Sequence, residues 1–174
     1  MEPSLEQPVI HMPVQILHAS IRPAAPHRAL WHGPWGVLLL FGNASALVGA
    51  RFQGPCAADD PAALPGAIPA PWGLQPTLQL ALSGTEFQLA VWRSLARLGH
   101  GERISYSALA GRIGRPRAVR AVANAVAANP VPVLLPCHRV IRRDGGYGDY
   151  IGGALRKHRL IHWETQNGSG LTCF

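Results

Sequence analysis

Between Gly54 and Pro76 closely spaced prolines interrupt the chain, and no residues there keep a helix or strand period. Proline lacks a backbone donor and restricts the residue before it, so such a stretch neither continues a helix nor sits inside a sheet. It reads as an irregular connection over the surface, separating two segments of different pattern. Before it, apolar residues run in short strand-like blocks. After it, they recur at helical spacing behind capping signals. The expected layout is α/β: a domain over residues 1–80 that carries a hairpin and the Pro-rich connection, then a mostly helical domain over residues 81–174.

Charge divides at the same place. Residues 1–84 carry three Arg against four acidic residues, whereas residues 85–174 carry thirteen basic residues against five acidic ones. A basic half beside a neutral one suits a polyanion-binding module, because cations displace counterions from phosphates. A solvated cationic face would have the same composition. No run approaches the ~18–20 apolar residues of a membrane span, and the first residues lack the basic and apolar blocks of a secretory signal. A cytoplasmic protein with no membrane partner is therefore expected. Cys56, Cys137 and Cys173 are odd in number and form no CxxC pair, which argues against a disulfide framework and a thiolate zinc site.

In the first segment a short strand is expected near Val14–Leu17, and a hairpin from Trp35–Phe41 and Ala46–Phe52. Its turn at Gly42 and Asn43 uses residues that tolerate positive φ. A further strand covers Thr77–Leu82. Thr85 followed by Gln88 forms a capping box that opens a helix with the apolar stripe Phe87, Val91, Leu95 and Leu98, ended by Gly99. Ser105 caps a second helix that runs to Gly114. Pro116 fits the first position of a third, which closes at Asn129-Pro130.

Two helices across the short turn Gly114-Arg115-Pro116 have a helix-turn-helix layout, whose second helix approaches DNA. On that helix Val119, Val122 and Val126 share one side, and Arg117, Arg120 and Asn124 lie opposite among alanines. Small residues let the helix axis come near a groove and leave the arginines to reach phosphates or the base stack. Next, an apolar strand, Val131–Leu135, delivers Pro136, Cys137, His138 and Arg139 into a tight segment. A thiolate is a strong nucleophile near neutral pH, and His138 and Arg139 are expected to lower the Cys137 pKa. An arbitrary Cys-His pair is more often a buried cysteine beside a surface histidine, so the surrounding motifs decide.

Those motifs are GTEF, ERISYSALA, RAVRAV, NPVPVLLPCHRV and GYGDYIGG, then Glu164. In order and spacing, residues 80–164 resemble the O6-alkylguanine-DNA alkyltransferase family; residues 1–79 resemble it only in architecture. The resemblance implies a ribonuclease H-like α/β domain followed by a winged-helix-like DNA-binding domain that holds the reactive cysteine. It implies single-turnover transfer of an alkyl group from O6-alkylguanine in double-stranded DNA to Cys137, with His138 acting through a water and Glu164 orienting His138. It further implies that the target nucleotide is flipped out. Arg120 then fills the gap, Tyr106 assists rotation and contacts the base, and Asn129 holds the junction before the cysteine segment. Backbone at Cys137, Val140 and Ile151 reads guanine edges, and Tyr150 and Gly152 shape the pocket wall. Ile151 replaces a small hydroxyl residue of other members. Arg115 stands where they carry an N-cap side chain; Arg cannot cap a helix N-terminus, so phosphate contact is expected of it.

No cofactor is needed. No metal is expected either, since the first half offers Cys56 alone with His11, His18, His27 and His32 at no tetrahedral spacing. One protein meeting one lesion demands no assembly, so a monomer is expected. Three rivals remain: a sensor of the same fold that binds the lesion without transfer, a Cys-His hydrolase, and a helix-turn-helix regulator. Each gives Cys137 a different fate.

Overall fold

The structure, a computed structural model, describes residues 13–55 and 68–167. Five strands form one mixed sheet: β1 (Val14–His18), β2 (His27–Gly33), β3 (Gly36–Gly42), β4 (Leu47–Gln53) and β5 (Leu78–Leu82), in the order β1-β5-β4-β3-β2. β2, β3 and β4 run antiparallel, while β5 lies parallel to β1 and β4. The hairpin lies one residue further along the chain than its expected bounds at each strand end. β2 was not anticipated, because its exposed face carries Arg28, Leu30 and His32 and blurs the apolar alternation set by Ala29 and Trp31.

The hairpin turn uses other chemistry than expected. Neither Gly42 nor Asn43 has positive φ. Instead Asn43 Oδ1 accepts from the backbone N–H groups of Ser45 (2.9 Å) and Ala46 (2.8 Å), an Asx turn. Gly42 is required by space, since a Cβ there would lie 2.2 Å from the Ala46 carbonyl oxygen. The Pro-rich connection also departs from a surface course at its end: Ile68 and Trp72 are buried, and Trp72 Nε1 donates to the Asn43 carbonyl at 2.9 Å. Residues 1–12 and 56–67, including His11 and Cys56, lie outside the described residues, as does Cys173.

The remaining elements are α1 (Glu86–Leu95), β6 (Ile104–Ser105), α2 (Tyr106–Arg112), α3 (Val119–Ala127), β7 (Val140–Ile141) and α4 (Ala154–Gln166). Thr85 and Gln88 form both bonds of the capping box. Thr85→Ala is expected to cost about 1 kcal/mol, read as a lower urea midpoint at an unchanged m-value. Val91, Leu95 and Leu98 are buried as expected, with Leu89 and Trp92 beside them; Phe87 is only partly buried. Trp92 Nε1 donates to the Ala125 carbonyl at 2.9 Å and ties α1 to α3.

Two local expectations fail between Ile113 and Leu135. α3 begins at Val119, not Pro116, because Gly114 takes φ +71° and the Ala118 N–H bonds back to the Arg115 carbonyl (2.9 Å), making a turn that postpones the helix. Arg117 is thus in the turn and not on α3. Val131–Leu135 is buried but is no strand: the Leu135 N–H reaches the Val131 carbonyl at 2.9 Å, and Val133 sits at φ +73°. An apolar run records burial and leaves open which way the backbone satisfies its polar groups.

One apolar core joins sheet and helices, from Leu38, Leu40 and Leu80 to Leu109, Val126 and Leu134. The sheet also meets the Asn-Pro segment directly, through the Ala50 N–H and the Pro130 carbonyl at 2.8 Å. No helix among the described residues is long and apolar enough to cross a membrane.

Candidate active site and nucleic-acid interface

The buried turn at Val133 throws the chain into a 3-10 helix, Cys137–Arg139, all three residues of which are buried. The tight segment expected at Cys137 takes the form of this coil, held by the Cys137 N–H on the Leu135 carbonyl at 2.7 Å. Asn129 organises this segment. Its Nδ2 donates to the Leu135 carbonyl at 2.8 Å and to Cys137 Sγ at 3.0 Å, and its Oδ1 accepts the Val131 N–H at 3.0 Å. Asn129 is buried, and every one of those bonds ties the end of α3 to the cysteine segment.

Glu164, from the last turns of α4, meets the next two residues. Its Oε1 accepts from Arg139 Nε (2.9 Å) and Nη2 (2.8 Å) and lies 2.8 Å from His138 Nε2. Arg139 also donates to the Leu98 carbonyl. Burial would raise the Glu164 pKa, but the adjacent imidazole and guanidinium outweigh it and hold the carboxyl down at about 2. An ionised carboxylate only accepts, so His138 Nε2 carries its hydrogen and Nδ1 keeps its lone pair. Among the described residues Nδ1 has no hydrogen-bond partner.

The resting protonation states differ from those expected. Burial pushes the Cys137 thiol up to about 11, against the opposing pulls of Asn129, Lys157 and Tyr150. Burial also lowers the His138 pKa, despite Glu164. The resting pair is thus a neutral thiol beside a neutral imidazole, since the site is dry enough for desolvation to exceed each charge interaction. Making the thiolate at pH 7 costs about 5 kcal/mol. Arg139, expected to activate the thiol, is spent on Glu164.

Cys137 opens on a cavity of about 260 Å³ lined also by Tyr106, Val126, Ala127, Asp149, Tyr150 and Ile151. A wider cleft of about 580 Å³ adjoins it, sharing Tyr106, Ala127 and Asp149 and adding Arg120, Asn124 and Arg142. Of the residues singled out in the sequence, Tyr106 lines both spaces, Tyr150 and Ile151 line the cavity, and Arg120 and Asn124 line the cleft. Arg115 and Arg117 are exposed in the turn before α3 and line neither cavity. Val140 is buried beneath the site with its carbonyl bonded by Lys157 Nζ at 2.6 Å. Gly152 lies behind the wall, where a Cβ would come within 2.6 Å of the Phe52 ring and 2.9 Å of Tyr150.

Sequence reasoning missed Lys157, Arg156, Arg142, Asp149 and His100. Lys157 is buried and donates to the Val140 and Tyr147 carbonyls, and burial lowers its pKa to about 8 while Cys137 opposes the shift. His100 packs edge-on against Trp163, with ring centroids 5.3 Å apart, and burial lowers its pKa also. For Lys157 the overlooked signal was spacing on α4. Lys157, Leu160, Ile161 and Glu164 repeat as i, i+3, i+4, i+7, which puts two charges on an apolar stripe where only paired groups survive. Among the described residues no three His, Cys, Asp or Glu side chains cluster as metal ligands.

Residues 86–166 match the family described as 6-O-methylguanine DNA methyltransferase, DNA binding domain. A 91-residue stretch, 52% of this chain, is 48% identical to the bifunctional transcriptional activator/DNA repair enzyme Ada of Escherichia coli and covers 26% of it. Over 93 residues, 53% of this chain, identity to the inducible methylated-DNA--protein-cysteine methyltransferase of Bacillus subtilis is 44%, covering 52% of that protein. The chain thus spans between about a quarter and about half the length of these curated relatives. Among solved structures, OGT of Mycobacterium tuberculosis in complex with DNA has a TM-score of 0.66 at 29% identity, over 83% of this chain and 96% of that one. The O6-methylguanine methyltransferase of the same organism has a TM-score of 0.67 at 31% identity, over 83% of this chain and 95% of that one. With that relative matched along nearly its whole length, the chain belongs to the 6-O-methylguanine DNA methyltransferase family.

Proposed function

We propose that this protein repairs DNA by direct reversal, moving the alkyl group of O6-alkylguanine onto Cys137 in a single, irreversible turnover. The observation that carries this reading is a buried thiol that accepts a hydrogen bond from Asn129, stands next to an imidazole with a free Nδ1 lone pair, and faces a cavity beside an arginine-bearing cleft. The names of the relatives, a DNA repair enzyme and a methylated-DNA methyltransferase, point the same way. Retention of the thiol disfavours a sensor of the same fold.

In this reading His138 Nδ1 takes the Cys137 proton through a water, while Glu164 and Arg139 hold the ring. Sulfur bonds to the alkyl carbon as the carbon–O6 bond breaks, the electron pair goes to guanine, and guanine regains one proton. Tyr106 suits a donor role there, since burial and the neighbouring thiol raise its pKa and keep its hydroxyl protonated. Arg120 and Asn124 line the cleft that receives the duplex, and Arg120 fills the gap left by the flipped nucleotide. Arg115 and Arg117, exposed before α3, meet phosphates. We also read the sheet as ribonuclease H-like, the helical part as winged-helix-like, with a division near residue 80, and the working form as a monomer without cofactor.

The test is intact mass after incubation with a duplex holding one O6-methylguanine, followed by peptide mapping. One methyl on Cys137 is expected; lesion binding with no mass change would leave the sensor. Arg120→Ala is expected to slow transfer from the duplex by about tenfold or more. Transfer from free O6-benzylguanine base should be unaffected by it, and equal slowing of both would place Arg120 outside the flipping step.

A further inference from the structure

Arg156 on α4 is 6% exposed, and among the described residues no carboxylate pairs with it. Its partners are backbone carbonyls. Nε donates to Trp35 at 3.0 Å, Nη1 to Gly152 at 3.2 Å, and Nη2 to Gln53 at 3.3 Å and Gly54 at 2.7 Å. The guanidinium also lies 4.7 Å from the centroid of the Phe52 ring. Burying a cation without a counter-ion is costly, and a planar fork of fixed donors has one use that a hydrophobic residue lacks: it holds several chain segments at set distances. Here those segments are the turn between β2 and β3, the end of β4, and the turn that carries Tyr150, Ile151 and Gly152.

That last turn is a wall of the Cys137 cavity. The Gly153 N–H closes it onto the Tyr150 carbonyl at 2.9 Å, Tyr150 and Ile151 line the cavity, and Arg156 holds the Gly152 carbonyl from behind. Phe52 of β4 backs the same wall, with its ring centroid 6.0 Å from that of Tyr150 and no room for a Cβ at Gly152. The sheet brings no residue to the cavity lining, yet through Arg156 and Phe52 it braces the segment that forms one side of it.

Resting on the alkyl-transfer reading, we propose that Arg156 and Phe52 set the size of alkyl group that the Cys137 cavity admits, by fixing the Tyr150–Gly152 wall to the sheet. They are positioning residues, since neither lines the cavity. Loosening the brace lets the wall retreat and favours bulky groups over methyl.

The experiment compares the protein with Arg156→Met, Arg156→Lys and Phe52→Leu at a temperature well below every melting midpoint. Rates of Cys137 modification are read by intact mass and peptide mapping, with O6-methylguanine and O6-benzylguanine duplexes. Iodoacetamide and N-benzylmaleimide serve as a small and a bulky free reagent. The bulky-to-small ratio is expected to rise by about tenfold in Arg156→Met and in Phe52→Leu, and Lys, which cannot reproduce the fork, should not restore it. A ratio within about twofold of the parent, with only a lower melting midpoint, overturns the proposal and leaves Arg156 a structural staple. If Arg156→Met fails to fold, Phe52→Leu, which keeps all four carbonyl bonds, decides alone. Should the parent take no alkyl group from DNA, the transfer reading fails, while the free reagents still report on the wall.

Discussion

Cys137→Ala is expected to bind a duplex containing O6-methylguanine and to acquire no methyl group at any time of incubation. Under the proposed function the effect is total, because the Cys137 sulfur would be the acceptor atom, so no neighbouring group would substitute for it and no residual rate would remain. Stability should change little. Cys137 is 4% exposed and behaves as a small apolar residue in the core, so truncation leaves a void of one sulfur at a cost of about 1 kcal/mol. Asn129 loses one contact but keeps the Leu135 carbonyl and the Val131 N–H. Binding, read by fluorescence anisotropy, should therefore survive while the mass shift disappears. A methyl group found on the variant would move the acceptor elsewhere and sink the assignment. A helix-turn-helix regulator would show no preference for the lesion in either form.

Glu164→Gln should be the most damaging conservative change. One carboxylate oxygen accepts two bonds from Arg139 and meets His138, and all three residues are nearly inaccessible. Removing the charge leaves a buried guanidinium without its counter-ion, which costs about 3 kcal/mol or more. It also frees the His138 tautomer, because a neutral amide can donate to Nε2 as well as accept from it; the Nδ1 lone pair is then no longer assured. Transfer should slow by about a hundredfold or more, beyond what the loss of folded protein explains at low temperature.

Acid supplies an independent check. The Glu164 carboxyl is held at about 2 in the folded chain against an ordinary value of 4.5. Its stabilisation is present above the ordinary value and is lost as pH falls from there toward 2. His138, with its pKa lowered by burial, acts in the same direction, since the unfolded chain binds its proton first. The stability gap between the parent and Glu164→Gln, measured by urea unfolding, should therefore shrink as pH falls from 5 to 3. A gap independent of pH over that range would mean that the carboxylate is not held by its neighbours.

Helix caps and the hairpin are legible in the sequence because their causes are local. Thr85 and Gln88 bond within one turn, and so do Ser105 and Ala108. Val122 and Val126 stand out as a buried face for the same reason: helical periodicity is a property of a few residues. The start of α3 is not legible, since Gly114 and the Arg115 carbonyl make a turn that Pro116 equally tolerates. Val131–Leu135 misleads because a buried strand and a buried turn have the same composition.

At the site, the identity of Cys137, His138, Asn129 and Glu164 came from a motif, but their charge states did not. The sequence suggested an activated thiolate flanked by cations. Folding instead buried the thiol and the imidazole, turned Arg139 onto Glu164, and put Lys157 under Val140. By itself, then, the sequence determined the helix and strand signals, the basic half and the reactive motif, all of which rest on neighbours along the chain. Only the tertiary structure decided protonation, the partner of each buried charge, and the bracing of the cavity wall by Arg156 and Phe52. Those depend on desolvation and on contacts between segments as much as 121 residues apart, such as Arg156 with Trp35.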